Sequence, residues 1–187
     1  ASRADRWGVV PAWGGRHWRG HRGPHAPRGL VATPVPYTIE RARGDRGGLR
    51  AHLARANDQF AALAAGSETL VIFQGPETYI TLSWCPSKHE HGKVVPTWNY
   101  VAVEVRGRPQ VFEDAGWLRT QIDELTSSQE SARQEPWAVS DAPASYVEAQ
   151  PKGIFGIQFP IGQIAGTGNT RQKRSDIDRD GGVAGPP

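Results

Sequence analysis

The sequence predicts a mainly β protein, an antiparallel barrel with a few helices, and two strand patterns carry that prediction. The run from Leu70 to Phe73 is continuously apolar and is followed by Gly75-Pro76, which predicts a strand buried on both faces that ends in a turn. Val101, Val103 and Val105 alternate with other residues, which predicts a strand with one buried face. Because the connections between the central strands are short, they indicate a meander or a barrel wall.

Several other segments have β-rich or alternating composition. In the segment 29–40, Pro34 and Pro36 leave backbone groups unpaired. This fits an edge strand and a strand that faces a ligand equally well. In the segment 152–164, Phe155 and Ile157 share an apolar face. Gly156 between them predicts the close approach of another backbone, as in a dimer contact or a ligand wall. The further strands are predicted over residues 29–40, 49–54, 78–83, 109–113 and 152–164.

Three helices are predicted, and all three are interpreted as structural. Asn57 caps a short helix, 58–65, that Gly66 ends. Asp114 caps an amphipathic helix, and Asp141 caps a further helix that opens near Pro143, with Tyr146 and Val147 directed inward. The apolar stripe of the amphipathic helix consists of Trp117, Leu118, Gln121, Ile122 and Leu125.

Length and charge define the predicted domains. The 187 residues suffice for one domain, predicted over residues 29–165, between an irregular basic segment at 1–28 and a polar tail at 166–187. Residues 1–30 hold six arginines against Asp5 alone, so the positive net charge lies outside the barrel and no basic groove is predicted in it. The interleaved arginines and tryptophans could bind single-stranded nucleic acid, although disorder or a shifted reading frame explains the same composition better.

A cytoplasmic location is expected, because the sequence shows no export signal and no apolar run long enough to span a membrane. The single cysteine, Cys85, fits a reducing compartment.

No metal site and no catalytic constellation is predicted. His17, His21 and His25 are spaced four apart, but the glycines and the proline among them oppose the helix that would align them. Cys85, His89 and His91 lack a normal zinc spacing and a fourth ligand.

Two stretches contain the side chains of a ligand site. Thr97, Trp98, Asn99 and Tyr100 place a hydroxyl, an indole, an amide and a phenol within four positions. This set suits a flat aromatic ligand, and a structural corner with a buried Trp98 fits it equally well. The second stretch brings cations and an amide to a strand end and a helix start, which is what a phosphate monoester needs, while a solvated strand end is the alternative. Its residues are Arg50, His52, Arg55 and Asn57.

The motifs VIFQGPETYITLSW and PSKHEHGKVVPTWNYVAVEVRG resemble the signature region of the PaiB family, which is described as FMN-binding negative transcriptional regulators. Three more segments resemble the same family in the same order: LRAHLARANDQF, PWAVSDAP and KGIFGIQFPI. The resemblance covers roughly Gly29 to Ile164. It implies the FMN-binding split β-barrel of flavin reductases and pyridoxamine-phosphate-oxidase-like proteins, which are dimers with the flavin at the subunit interface.

The resemblance therefore implies an FMN cofactor, a homodimer and a role in transcriptional regulation. The sequence itself shows no helix-turn-helix pattern with a basic recognition helix. A flavin-dependent oxidoreductase or a haem-utilisation-type enzyme on the same fold is the alternative, and DNA binding through the basic N-terminal segment is a second one. By resemblance, Pro34 and its neighbours pass the isoalloxazine, and the Arg50 to Asn57 stretch holds the phosphate. The expected cofactor-binding residues are Thr33, Val35, Arg50, His52, Arg55, Asn57, Lys93, Thr97, Trp98 and Asn99.

Overall fold

Two four-stranded antiparallel sheets form the body of the protein. The computed structural model describes residues 21–22, 31–84, 88, 92 and 94–169. The strands are β1 (His21–Arg22), β2 (Thr38–Glu40), β3 (Gly48–Ala54), β4 (Thr69–Ile80), β5 (Thr97–Gly107), β6 (Gln110–Phe112), β7 (Ile154–Pro160) and β8 (Gln163–Asn169). The first sheet has the order β1-β4-β5-β8 and the second sheet the order β2-β3-β7-β6. The helices are α1 (Phe60–Ala64), α2 (Ala115–Glu130) and α3 (Ala144–Ala149), so the predicted mainly antiparallel fold with a few helices is confirmed.

The core lies between the facing sides of the two sheets. Alternate residues of β3 and β7, among them Leu49, Phe155 and Phe159, are almost fully buried. They pack in one cluster with Val71 and Val103 of the first sheet. The period-two alternation seen in the sequence therefore corresponds to the inner face of each sheet. Burial of these side chains is the main favourable contribution to the stability of the fold.

Gly75-Pro76 lies inside a strand, so the predicted turn there is wrong. β4 continues to Ile80, and its register against β5 shifts between Gln74 and Glu77. Such a β-bulge accommodates Pro76, which has no N–H to donate to a ladder. The bulge merges two predicted strands into one, and residues 82–84 form a turn of 3₁₀ helix instead of continuing it.

The strand predicted over residues 29–40 is regular only at its end, where β2 pairs with β3. Residues 31–37 have no regular secondary structure, in keeping with the two prolines there, yet Val35 and Tyr37 are buried in the core. At the other end of the chain, the single strand predicted over residues 152–164 is wrong: residues 161–162 separate β7 from β8, and β8 runs to Asn169, into the segment predicted as a polar tail.

The helix ends follow the predicted signals in part. α1 is shorter than predicted, and Gly66 follows its C-terminal end with φ +66°. The Gly66 N–H donates to the backbone oxygen of Leu63, and the Ser67 N–H donates to that of Ala62. This arrangement is a Schellman motif, which glycine favours. The predicted cap by Asp141 is wrong, because Asp141 lies in a 3₁₀ turn and its carboxylate accepts from the Ala138 N–H.

The predicted inward pair on the last helix is half right. Val147 of α3 is buried, whereas Tyr146 is 60% exposed. No helix in the described ranges is long and apolar enough to cross a membrane.

Asp114 caps α2 as predicted, since its Oδ1 accepts from the Trp117 N–H at 2.8 Å. We expect Asp114→Ala to lower the free energy of unfolding by about 1 kcal/mol, because the Trp117 N–H then loses the carboxylate oxygen that accepts from it. Asp114→Ser retains an N-cap oxygen and serves as the control. Urea unfolding of the three proteins measures the effect, and equal losses in both variants would contradict the capping role.

Candidate functional site

Helix α2 covers the outer face of the second sheet, and Gly156 makes that packing possible. A Cβ at Gly156 would lie 2.1 Å from Cζ3 of Trp117. The prediction of a backbone contact or a ligand wall at this glycine is therefore wrong. The close neighbour is an indole of the same chain, which stacks on Phe112 at 4.8 Å between ring centroids.

Arg50 points away from the core and toward α2. Its guanidinium carbon lies 4.7 Å from the Trp117 ring centroid, and Nη1 is 2.7 Å from Oε2 of Glu124. The side chain is only 12% exposed, and its buried Nε has no hydrogen-bond partner within the described ranges. Arg50 therefore joins the helix to the sheet through an ion pair and a cation–π contact.

His52 lies two residues further along the same outer face. Its Nδ1 is 2.6 Å from Oε1 of Gln121, a fully buried residue of α2. Gln121, the polar residue in the predicted apolar stripe of α2, thus has a specific partner on the sheet, His52. Arg50 and His52 come together as predicted, but both side chains are engaged by α2.

Arg55 follows β3 and lies at the surface. It forms an ion pair with Glu113, and its Nε donates to the backbone oxygen of Lys152 at 3.2 Å. Both side chains of the ion pair are about half exposed. Such a pair contributes little to stability in water, roughly 0–1 kcal/mol.

Thr33 and Asn57, far apart in sequence, meet at a neutral hydrogen-bonded cluster completed by Gln59. Asn57 Nδ2 donates to Thr33 Oγ1 at 3.1 Å, and Gln59 Nε2 donates to the same oxygen at 2.8 Å. Asn57 Oδ1 accepts from the backbone N–H of Gln59 at 3.0 Å. We call Thr33, Asn57 and Gln59 the threonine cluster. Sequence analysis missed Gln59. This residue is only 3% exposed, but it lies in a polar segment, and nothing in the local sequence indicates that it is buried.

Residues 97–100 do not present their side chains together. Thr97 and Asn99 lie on the face of β5 that also carries Val103, whereas Trp98 lies on the outer face with Tyr100, because side chains alternate along a strand. Trp98 is 52% exposed, so the alternative of a structural corner with a buried Trp98 is wrong. Its ring centroid is 6.2 Å from that of Tyr79, and its Nε1 donates to Glu77 at 3.4 Å.

Asn99 brings a buried acceptor to the inner face of β5, and in the part of the chain that the structure describes its Oδ1 has no hydrogen-bond partner. Within the described residues, no hydrogen bond or ring contact joins Thr97, Trp98 or Asn99 to the threonine cluster. Apart from Arg55 at the surface, the expected site residues treated so far therefore form three groups, at the threonine cluster, beneath α2 and on strand β5 beside β4.

The remaining predicted residues contribute less to a site. Val35 is part of the core, where its side chain is 4% exposed. Lys93 and the two groups considered as metal ligands, at 17–25 and at 85–91, lie outside the residues whose side chains are described. In the part of the chain that is described, no group of three or more His, Cys, Asp or Glu side chains could hold a metal ion.

An apolar groove between α2 and α3 is distinct from these groups. Its lining includes Ile122, Trp137, Val139, Tyr146 and Val147, and its volume is ≈ 120 Å³. Sites for ligands of cofactor size measure about 300–1,000 Å³. The groove is therefore too small to hold a flavin.

Two antiparallel sheets around one core, with a long helix on one outer face, define a split-barrel-like protein, and comparison with solved structures supports this. The FAD and heme binding protein from Mycobacterium smegmatis is 16% identical, with a TM-score of 0.61 over 97% of this chain and 78% of that one. The flavocytochrome Anf3 from Azotobacter vinelandii is 14% identical, with a TM-score of 0.57 over 94% and 73%. At such low identity these structures show the fold.

The chain belongs to the family described as "Putative FMN-binding domain", whose pattern matches residues 21–163. An uncharacterized protein of Emericella nidulans is 36% identical over 83% of this chain and 74% of its own length. The protease synthase and sporulation protein PAI 2 of Bacillus subtilis is 28% identical over 79% and 68%. The resemblance to the PaiB family is thereby confirmed, and FMN is the cofactor that the family description names.

Proposed function

We propose that this chain binds FMN as a homodimer and acts as a negative transcriptional regulator of the PaiB type. The observation that carries the proposal is the family match over residues 21–163, which includes every residue of the threonine cluster and of the β4–β5 hairpin. When bound, FMN supplies redox chemistry at its isoalloxazine ring. The residues of this chain bind, orient and shield it.

The threonine cluster fits the uncharged polar part of the cofactor. It contains a hydroxyl and two amides and no charged side chain. Carbonyl and N–H groups of an isoalloxazine match such neutral donors and acceptors, whereas a phosphate dianion requires cations or several N–H donors. We assign the ring to the threonine cluster.

Arg55 is the better placed of the two arginines for the phosphate. Its ion pair with Glu113 is exposed on both sides, so exchanging that carboxylate for a phosphate costs little. Arg50 would have to leave a nearly buried position between Trp117 and Glu124. We therefore assign Arg55 to the phosphate, and Arg50 and His52 to the support of α2.

The homodimer is proposed to form through the outer face of the first sheet. α2 packs on the strands of the second sheet, and the outer face of the first carries the half-exposed aromatic residues Tyr79, Trp98 and Tyr100. Leu70 and Ile72 extend this face along β4. A two-fold contact that pairs this surface with itself would remove the aromatic side chains from water.

Tyr79→Glu tests the dimer. We expect it to weaken dimerisation by about 100-fold, because the two-fold axis would bury the new carboxylate twice. Tyr146→Glu is the matched control, since Tyr146 is similarly exposed but belongs to α3. Sedimentation equilibrium measures both variants, and a dimer unaffected by Tyr79→Glu would exclude this face as the interface.

We base the regulatory role on the likeness to the PaiB family, and not on DNA recognition by one of the described helices. α2, the longest described helix, carries Arg119 against Asp123, Glu124 and Glu130, whereas a recognition helix is basic. We therefore assign regulation to the flavin-loaded dimer as a whole.

A flavin-dependent oxidoreductase is the second candidate, because the solved neighbours of this fold include proteins named for flavin and haem. Anaerobic mixing of the FMN-loaded protein with NADH or NADPH separates the two functions. Under the regulatory proposal the flavin band bleaches slowly without catalytic turnover. Repeated turnover with an added electron acceptor would identify an enzyme.

A further inference from the structure

Thr33 carries a hydroxyl whose hydrogen-bonding capacity is only partly used. A hydroxyl has one hydrogen to donate and two lone pairs that accept. Asn57 Nδ2 and Gln59 Nε2 both donate to Thr33 Oγ1, at 3.1 and 2.8 Å, so both lone pairs are occupied. In the described part of the chain, no group accepts the hydroxyl hydrogen of Thr33.

The orientation of the Asn57 amide follows from its neighbour. The Gln59 backbone N–H can only donate, and it is bonded to Asn57 Oδ1 at 3.0 Å. The nitrogen of the same amide must therefore face Thr33. With Gln59 Nε2 directed at the same oxygen, the Thr33 hydrogen is available for a group outside the cluster, whereas a Gln59 amide turned by 180° would accept that hydrogen through Oε1. Thr33 is half-buried, so a ligand can reach it.

Gln59 is held in this arrangement at a cost. Only 3% of Gln59 is exposed, and among the described residues its Oε1 has no hydrogen-bond partner. A buried carbonyl without a partner destabilises the folded state. An apolar side chain of the same size would fill the position without that cost, so packing alone does not explain a glutamine here.

On the basis of the proposed function, we infer that Gln59 is a positioning residue that, together with Asn57, directs the Thr33 hydroxyl as a hydrogen-bond donor to a carbonyl oxygen of the isoalloxazine ring. The neutral cluster selects a carbonyl over the phosphate, since no cation belongs to it. Gln59 acts through Thr33, and Thr33 contacts the ligand.

Flavin affinity and stability together test this role. Gln59→Met removes the donor and the unpaired carbonyl at nearly constant volume, so the melting temperature is expected to stay the same or rise. Affinity for FMN is expected to fall about fivefold, because the Thr33 hydroxyl can then rotate. Thr33→Val is expected to weaken FMN binding about tenfold, while Thr33→Ser restores it.

A double-mutant cycle then separates positioning from direct contact. In a Thr33→Val background, Gln59→Met is expected to cause no further loss of affinity. Riboflavin, which lacks the phosphate, is expected to show the same losses as FMN. Equal effects of Gln59→Met in both backgrounds, or losses confined to FMN, would overturn the inference. If the wild-type chain bound neither flavin, the proposed function itself would fail, whereas normal wild-type binding with unaffected Gln59→Met and Thr33→Val variants would overturn only the role of this cluster.

Discussion

Gly156→Ala is expected to destabilise the protein by about 3 kcal/mol, at the upper end of the cost of overpacking a core. The new Cβ would lie 2.1 Å from Cζ3 and 2.6 Å from Cε3 of Trp117, so the indole or strand β7 must shift. Neither moves easily, because Trp117 is stacked on Phe112 and covered by Arg50, and β7 is paired on both sides. Loss of this packing would loosen α2 from the sheet.

Gly153→Ala is the matched control for that substitution. It lies three residues earlier in the same segment, and a Cβ there would meet nothing within 4 Å. Urea unfolding of both variants measures the difference. In a Trp117→Ala background, the additional cost of Gly156→Ala is expected to fall below about 1 kcal/mol, since the clashing ring is absent. A cost that is the same in both backgrounds would refute the packing of Trp117 on Gly156.

Arg55→Ala is expected to weaken FMN binding by about 30-fold, or roughly 2 kcal/mol, which is typical of a charge-assisted hydrogen bond. Riboflavin binding is expected to be unchanged, because riboflavin has no phosphate for Arg55 to bind. The melting temperature is also expected to change little, since the ion pair with Glu113 is exposed.

Arg133→Ala is the control for charge, because Arg133 is also exposed and forms an ion pair, with Glu130 at 3.1 Å. Fluorescence titration of each of the two variants with FMN and with riboflavin measures the four affinities. Equal losses for the two flavins would place Arg55 near the ring or the sugar instead. No loss for either would remove Arg55 from the site.

Strand positions were predictable from the sequence wherever a buried face alternates with a wetter one. β3 and β5 lie where that alternation predicts them, because each has one side in the core, whereas the single strand predicted over residues 152–164 is divided into β7 and the start of β8. The pattern fails at Gly75-Pro76, since a turn dipeptide and a bulge within a strand have the same composition. Alternation also separates Trp98 from Thr97 and Asn99, although they are neighbours in sequence.

The site was predictable in residue type but only partly in arrangement. The resemblance implies Thr33 for the ring and Asn57 for the phosphate, whereas the structure brings the two into one cluster, and the Gln59 contact depends on a side chain buried among polar neighbours. The carboxylates that engage Arg50 and Arg55 belong to α2 and to the segment just before it. No local pattern encodes such long-range pairs, because they arise only when the helix packs on the sheet.

Titration of the purified full chain with FMN, followed by quenching of the flavin fluorescence, tests the central claim most directly. We predict saturable binding of one FMN per chain with a Kd below about 10 µM, an association free energy of about −7 kcal/mol. Weaker binding of riboflavin would confirm that the phosphate contributes. Unquenched fluorescence throughout the titration, with the protein folded, would contradict the assignment of a flavin site to this barrel.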